Sequence, residues 1–223
     1  MNKTGQLPFD FGHRPSLSGD DFFVAPSNKE AVVWLDKWPH WPGPFLVIYG
    51  APGCGKTHLS HVFMATSGAL KLKAAMICEA GLPNLLSLSE NFILDDENAD
   101  FDEEALFHIY NHLASRGGHM LITSVSPPSE WGLKLADLAS RLKSSPAISI
   151  GMPDDDLIKS LLVKLFSDRQ VRVENGAINY VTKRIERSFD AARQFVEIAD
   201  RTALVEKKGI SLPLARQVLD HMI

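Results

Sequence analysis

The sequence is poor in cysteine, in long apolar runs and in excess positive charge, and each shortage removes a class of protein. Only Cys54 and Cys78 occur, too few for a disulfide-stapled scaffold. No apolar run approaches the roughly eighteen residues that a membrane-spanning helix needs. Lys plus Arg total 23 against 27 Asp plus Glu, a formal charge of −4, so the global positive field that holds proteins on duplex DNA is missing. Residues 1–11 lack the apolar core of a secretory leader, and the expected compartment is a reducing cytoplasm. What is present, 45% hydrophobic and 22% charged residues over 223 positions, is the composition of a globular chain long enough for one large or two small domains.

Residues 1–20 carry Pro8, Gly12, Pro15 and Gly19 without helical or strand period, the composition of a flexible tail. The spacing predicts a helix over 31–38, with Val32, Val33, Leu35 and the core pair Trp34/Trp38, stopped by Pro39, Pro42 and Pro44. Five short apolar runs follow at 45–49, 74–78, 92–94, 120–123 and 147–150, alternating with helix-like stretches such as 56–67 and 103–116. That alternation predicts an α/β fold with a parallel sheet. After Pro153 only helical periods remain. One helix starts at the N-cap Asp154, with Leu157, Leu161, Leu165 and Ile158, Leu162, Phe166 in one stripe, and others cover 174–187, 189–207 and 212–222. The expected organisation is a tail over 1–20, an α/β domain over 21–152 and a small helical domain over 153–223.

The stretch Gly50-Ala51-Pro52-Gly53-Cys54-Gly55-Lys56-Thr57 matches G-x-x-x-x-G-K-[ST] between a predicted strand and a predicted helix, the context that a phosphate-binding loop requires. Its glycines let backbone N–H groups turn inward around phosphates, and the next helix presents its positive end. Lys56 reaches the β- and γ-phosphates and Thr57 holds Mg²⁺. The acidic partner of the metal ends the run 92–94: Asp95 is expected to organise Mg²⁺ through water, and Asp96 to orient or deprotonate the attacking water. The ligand implied by these residues is a nucleoside triphosphate with Mg²⁺. The histidines lack a Cys/Asp/Glu ligand constellation, so no zinc site is predicted. Cys54 is read as an inert small residue, and Asp154-Asp155-Asp156 as a helix N-terminus rather than a metal site.

Gly53-Cys54-Gly55-Lys56-Thr57-His58-Leu59, the Asp95-Asp96 strand end, Asp137-Leu138-Ala139-Ser140-Arg141-Leu142 and Phe23-Val24-Ala25-Pro26-Ser27-Asn28 together resemble the AAA+ module of the bacterial replication initiator DnaA, over roughly residues 20–222. The resemblance implies a P-loop AAA+ fold, a five-stranded parallel sheet flanked by helices and followed by an all-helical lid. It places His58 beside the nucleotide and makes Arg141 an arginine finger, carried by one subunit and aimed at nucleotide on the next, which implies a homo-oligomer. Such a role needs a fixed guanidinium, because Lys cannot present the same fork. The chain shows neither the DNA-binding helix-turn-helix domain nor the helicase-interaction domain of an initiator, and in this it resembles the regulatory inactivators of DnaA, the Hda family. Gln6-Leu7-Pro8-Phe9-Asp10-Phe11 is similar to the peptides through which such proteins dock on the sliding clamp, the β subunit of DNA polymerase III. Leu7, Phe9 and Phe11 would fill a preformed groove, with Gln6 at its polar rim. The implied partners are DnaA and the clamp, with DNA met only through the clamp. The implied function is negative regulation of replication initiation, by stimulating hydrolysis of DnaA-bound ATP at the replisome.

Two departures from that family pattern bear on turnover. Val125, which cannot hydrogen-bond, follows Ile122-Thr123-Ser124 where a polar γ-phosphate reader is expected, leaving Ser124 or Ser126 as substitutes. The lid arginine expected at the nucleotide falls on Asp190, with Arg193 nearly a turn later as the candidate. Both departures suit retention of ADP better than hydrolysis, because two phosphates satisfy the loop, and the expectation is a weak intrinsic ATPase at most. An autonomous ATPase or helicase-loading factor, and a non-catalytic clamp adaptor, stay open as alternatives.

Overall fold

The computed structural model describes residues 24–78, 81–95, 101–206 and 208–222. Helix α1 (Lys29–Asp36) leads to strand β1 (Phe45–Tyr49), then α2 (Lys56–Ser67), β2 (Leu70–Leu72), α3 (Leu82–Leu88), β3 (Asn91–Asp95), α4 (Glu103–Arg116), β4 (His119–Ser124), α5 (Ala136–Ser144) and β5 (Ala147–Ser149). All strand pairs are parallel, in the order β2-β3-β4-β1-β5. Such a sheet is covered on both faces, and the residues alternate accordingly. Leu46, Ile48, Ile93 and Leu121 pack with Leu35, Leu59 and Phe63 from α1 and α2. Phe45, Val47, Phe92, Leu94, Met120 and Ile122 pack with Leu85, Ile109 and Leu138 from α3, α4 and α5.

The second strand is not where the apolar run 74–78 predicts it. Ala74–Met76 is a single 3₁₀ turn and Ala75 and Met76 are exposed, whereas β2 forms over Leu70–Leu72 and pairs with β3. An edge strand needs only alternate apolar residues and is protected by charge. Leu70 and Leu72 pack on the core while Lys71 faces solvent.

Four further helices follow: α6 (Asp155–Asp168), α7 (Asn175–Thr182), α8 (Phe189–Glu206) and α9 (Leu212–Asp220). Their apolar stripes close on one another in a cluster of their own, which includes Ile158, Leu162, Phe166, Val181, Phe195, Val196 and Leu214. Asp154 caps α6, its Oδ1 accepting from Leu157 N–H at 2.8 Å, as its sequence position indicates. The period over 174–187 materialises as the shorter α7; the chain then turns so that Ile185 re-enters the core and Ser188 is buried. Among the described residues no helix is long and apolar enough to cross a membrane.

Candidate functional site

Register brings the carboxyl ends of three strands level: Tyr49 lies opposite Ser124, and Asp95 opposite Thr123. The loop 50–55 leaves β1 at that edge and feeds directly into α2, whose first residue is Lys56. Two of its glycines are required by conformation. Gly53 and Gly55 have φ of +74° and +105°, where a Cβ is strained. Gly50 is required by space, since a Cβ there would lie 2.5 Å from the Ile150 carbonyl oxygen. A chain so constrained presents backbone rather than side chains to the cavity of the loop, the geometry that cradles phosphate.

Lys56 is 6% exposed and its ammonium donates to the carbonyls of Gly50 at 2.6 Å and Ala51 at 3.0 Å. Its charge is thereby held over the loop. Cys54 is buried with its sulfur 4.0 Å from that ammonium. Burial pushes the Cys54 thiol above its ordinary value and outweighs the pull of Lys56 and the backbone amides, so the thiol stays protonated and unreactive. Ala51, Pro52 and Thr57 are exposed, and His58 is half-buried on the first turn of α2.

Asp95 ends β3 beside this loop. Its Oδ1 accepts from Thr123 Oγ1 and its Oδ2 pairs with Lys71 Nζ, both at 2.6 Å. Burial pushes the carboxyl up, but the hydrogen bonds from Lys71 and Thr123 and the charges of Lys71 and Lys56 outweigh it, so its pKa lies below the ordinary carboxylate value and the group is ionised at neutral pH. Thr123 belongs to the strand end Ile122-Thr123-Ser124, but its pairing with Asp95 is detectable only in register, and Lys71 only through the Leu-Lys-Leu alternation of an edge strand.

The helices of the C-terminal cluster reach the loop through the start of α8. Phe189 N–H donates to the Gly53 carbonyl at 2.9 Å, and its ring stands 3.2 Å from where a Cβ on Gly55 would be. Ser188 Oγ accepts from Ala191 N–H at 3.0 Å, capping the helix. Arg193 is exposed and four residues beyond Phe189, hence on the same side of α8 one turn away; Asp190 is exposed on the first turn. At the expected γ-phosphate position, Val125 is 38% exposed. The Ser124 hydroxyl is committed to the Ser126 carbonyl at 2.7 Å.

Arg141 belongs to the opposite end of the sheet. Its guanidinium lies 5.5 Å from the centroid of the Tyr110 ring, which meets Phe45, the first residue of β1, edge-on at 4.9 Å. Loop 50–55 follows the last residue of the same strand, about 13 Å away at about 3.3 Å per residue. Arg141 is exposed, and among the described residues no carboxylate pairs with it. Asp96 and the tail residues Gln6, Leu7, Phe9 and Phe11 lie outside the described residues.

The buried ammonium, the cradle that Cβ atoms would fill and the ionised carboxylate at the same edge of the sheet, with β4 between its strand and β1, match a polyphosphate with a divalent cation.

No family model matches the chain. An uncharacterised protein of Haemophilus influenzae is 25% identical over 190 residues, covering 79% of this chain and 82% of that protein. The chromosomal replication initiator protein DnaA of Campylobacter jejuni is 25% identical over 249 residues, covering 93% of this chain. The chain spans about half, 53%, of the length of that initiator. Among solved structures, domain III of the Thermotoga maritima replication initiation protein DnaA superposes with a TM-score of 0.75 at 19% identity, covering 90% of this chain and 94% of that domain. DnaA of Aquifex aeolicus bound to AMPPCP gives a TM-score of 0.66 at 16% identity, over 86% of this chain and 69% of that one. A mutant of the Thermotoga maritima protein RuvB gives 0.73 at 16% identity, over 93% and 73%. The fold is thus the P-loop AAA+ fold: a five-stranded parallel sheet flanked by helices.

Proposed function

We propose that this chain is a nucleotide-holding regulator of replication initiation, which docks on the DNA-loaded sliding clamp through Gln6, Leu7, Phe9 and Phe11 and stimulates hydrolysis of ATP bound to DnaA. The similarity in sequence to an initiator supports a role in replication. The single observation that carries the mechanism is the place of Arg141: an exposed guanidinium, without a carboxylate partner among the described residues, that lies against Tyr110 near the start of β1 and not beside loop 50–55, which follows the end of that strand. It is suited to a neighbour's nucleotide.

In this reading the loop amides, Lys56 and the start of α2 bind the α- and β-phosphates of ADP or ATP, and Arg193 reaches toward them from α8. Thr57, and Asp95 through water, would hold Mg²⁺, which when bound would screen the phosphate charge. Val125, the committed Ser124 hydroxyl and Asp190 leave Ser126 as the remaining candidate among these positions to read a γ-phosphate, which favours retained ADP over turnover. Arg141, presented to the ATP of DnaA, meets the charge that develops on the transferring phosphoryl group; in GTPases such a finger in trans is worth about 10³–10⁵ in rate. Tyr110 keeps the guanidinium near its orientation before docking, through a cation–π contact.

The test is hydrolysis of ATP prebound to DnaA, with this protein and DNA-loaded clamp present. Hydrolysis should rise, and Arg141→Ala should abolish the rise while clamp binding persists. The double change Gln6→Ala, Leu7→Ala should abolish both. A protein that binds the clamp without raising hydrolysis would be an adaptor, and the role of Arg141 would be lost.

A further inference from the structure

We propose that Lys71, on the edge strand β2, supplies a fixed positive charge at Asp95 that lets the site retain adenine nucleotide with little dependence on Mg²⁺. The inference rests on the reading of loop 50–55, Lys56 and Asp95 as a nucleotide site and adds to it how that site balances charge. Lys71 stands opposite Ile93 in the parallel register, and its ammonium extends along the strand direction to meet Asp95 Oδ2 at 2.6 Å. The other oxygen, Oδ1, accepts from Thr123. Both oxygens of the carboxylate are therefore engaged by the protein itself.

A carboxylate at the rim of a phosphate loop repels the phosphates unless a cation stands between them, and in such sites a divalent metal ordinarily does so. Here an ammonium already cancels the charge of Asp95. Two consequences follow. Phosphates meet a neutral pair rather than an anion, so the loop amides, Lys56 and the positive end of α2, none of which needs a metal, suffice to hold a diphosphate. Asp95 also attracts a divalent cation less strongly than an unpaired carboxylate would. The Lys71 side chain is 42% exposed and that of Asp95 20%, so solvent screening keeps the effect moderate, at about tenfold in affinity.

The experiment measures binding of ADP labelled on its ribose with a fluorophore, in excess MgCl₂ and in EDTA, for the wild type, Lys71→Met and Lys71→Arg. For the wild type, removing Mg²⁺ should weaken binding by no more than about threefold. For Lys71→Met the same ratio should reach about tenfold or more, and Lys71→Arg, which keeps the charge, should behave as the wild type. The rise in melting temperature caused by ADP should divide the variants in the same way. An unchanged ratio in Lys71→Met overturns the proposal and leaves Lys71 as a solubilising residue of an edge strand. A wild type that binds ADP only with Mg²⁺ overturns it too, while leaving the nucleotide site intact. Failure of the wild type to bind adenine nucleotide under either condition removes the reading of the site itself, and this inference with it.

Discussion

Gly53 and Gly68 have nearly the same backbone conformation, with φ of +74° and +66°, and this makes a controlled comparison possible. Replacing either with Ala places a Cβ in the left-handed region at a cost of about 1–2 kcal/mol. At Gly68, the C-terminal cap of α2, nothing lies within 4 Å of that Cβ, so the conformational cost is the whole effect. At Gly53 the new atom would stand 2.7 Å from Ser188 Cβ. Ser188 is 4% exposed and its hydroxyl is engaged in capping α8. The start of α8 must therefore shift, breaking the 2.9 Å hydrogen bond from Phe189 N–H to the Gly53 carbonyl, a further 0.5–1.5 kcal/mol or so. Gly68→Ala should then lose about 1–2 kcal/mol in urea unfolding and bind ADP as the wild type does. Gly53→Ala should lose about 1.5–3.5 kcal/mol and at least tenfold in ADP affinity, because the loop and α8 no longer define one cavity. If the two variants match in both measurements, the junction between loop and α8 contributes nothing to the site.

Lys56→Ala removes a charge-assisted donor worth about 1.5–3 kcal/mol, so ADP affinity by isothermal titration should fall roughly 10- to 150-fold; a loss below about threefold would dismiss Lys56 as a phosphate ligand. His119 is buried between the rings of Trp38 and Trp41. Burial pushes its imidazole below the ordinary 6.5, against a hydrogen bond to the Pro39 backbone that raises it. Unfolding therefore takes up a proton: the stability from neutral His119 is complete above about pH 6.5 and is lost as the pH falls through the folded-state value. The melting temperature of the wild type should accordingly fall more steeply than that of His119→Gln between about pH 7.5 and pH 5, and parallel profiles would refute the assignment.

The elements legible from sequence were those whose signal is contiguous. The strand over 45–49 and the helices over 56–67 and 103–116 form at the predicted residues, because an unbroken apolar run and a 3.6-residue period each report local structure. Glycines at turns and the Asp154 cap mark ends equally well, since both act within four residues. What failed was the edge strand. Leu70–Leu72 offers three residues and one alternation, while 74–78 is more apolar but has no strand beside it to pair with. Helix α3 was not foreseen either; Leu82 and Leu85 are too short a stripe to read before the packing against α4 is known.

Loop 50–55 was the part of the candidate site that sequence specified most fully, because its glycines, its lysine and the turn they make are contiguous and the conformation is dictated by which residues lack a Cβ. The pairings around it were decided only by the tertiary structure. Asp95 meets Thr123 across 28 positions and Lys71 across 24, and Ser188 meets Gly53 from another part of the chain. Parallel strands require long crossover connections, so residues adjacent at the carboxyl edge of such a sheet are necessarily distant in sequence. The chain's order of residues states which groups are available; the strand order β2-β3-β4-β1-β5 states which of them face one another.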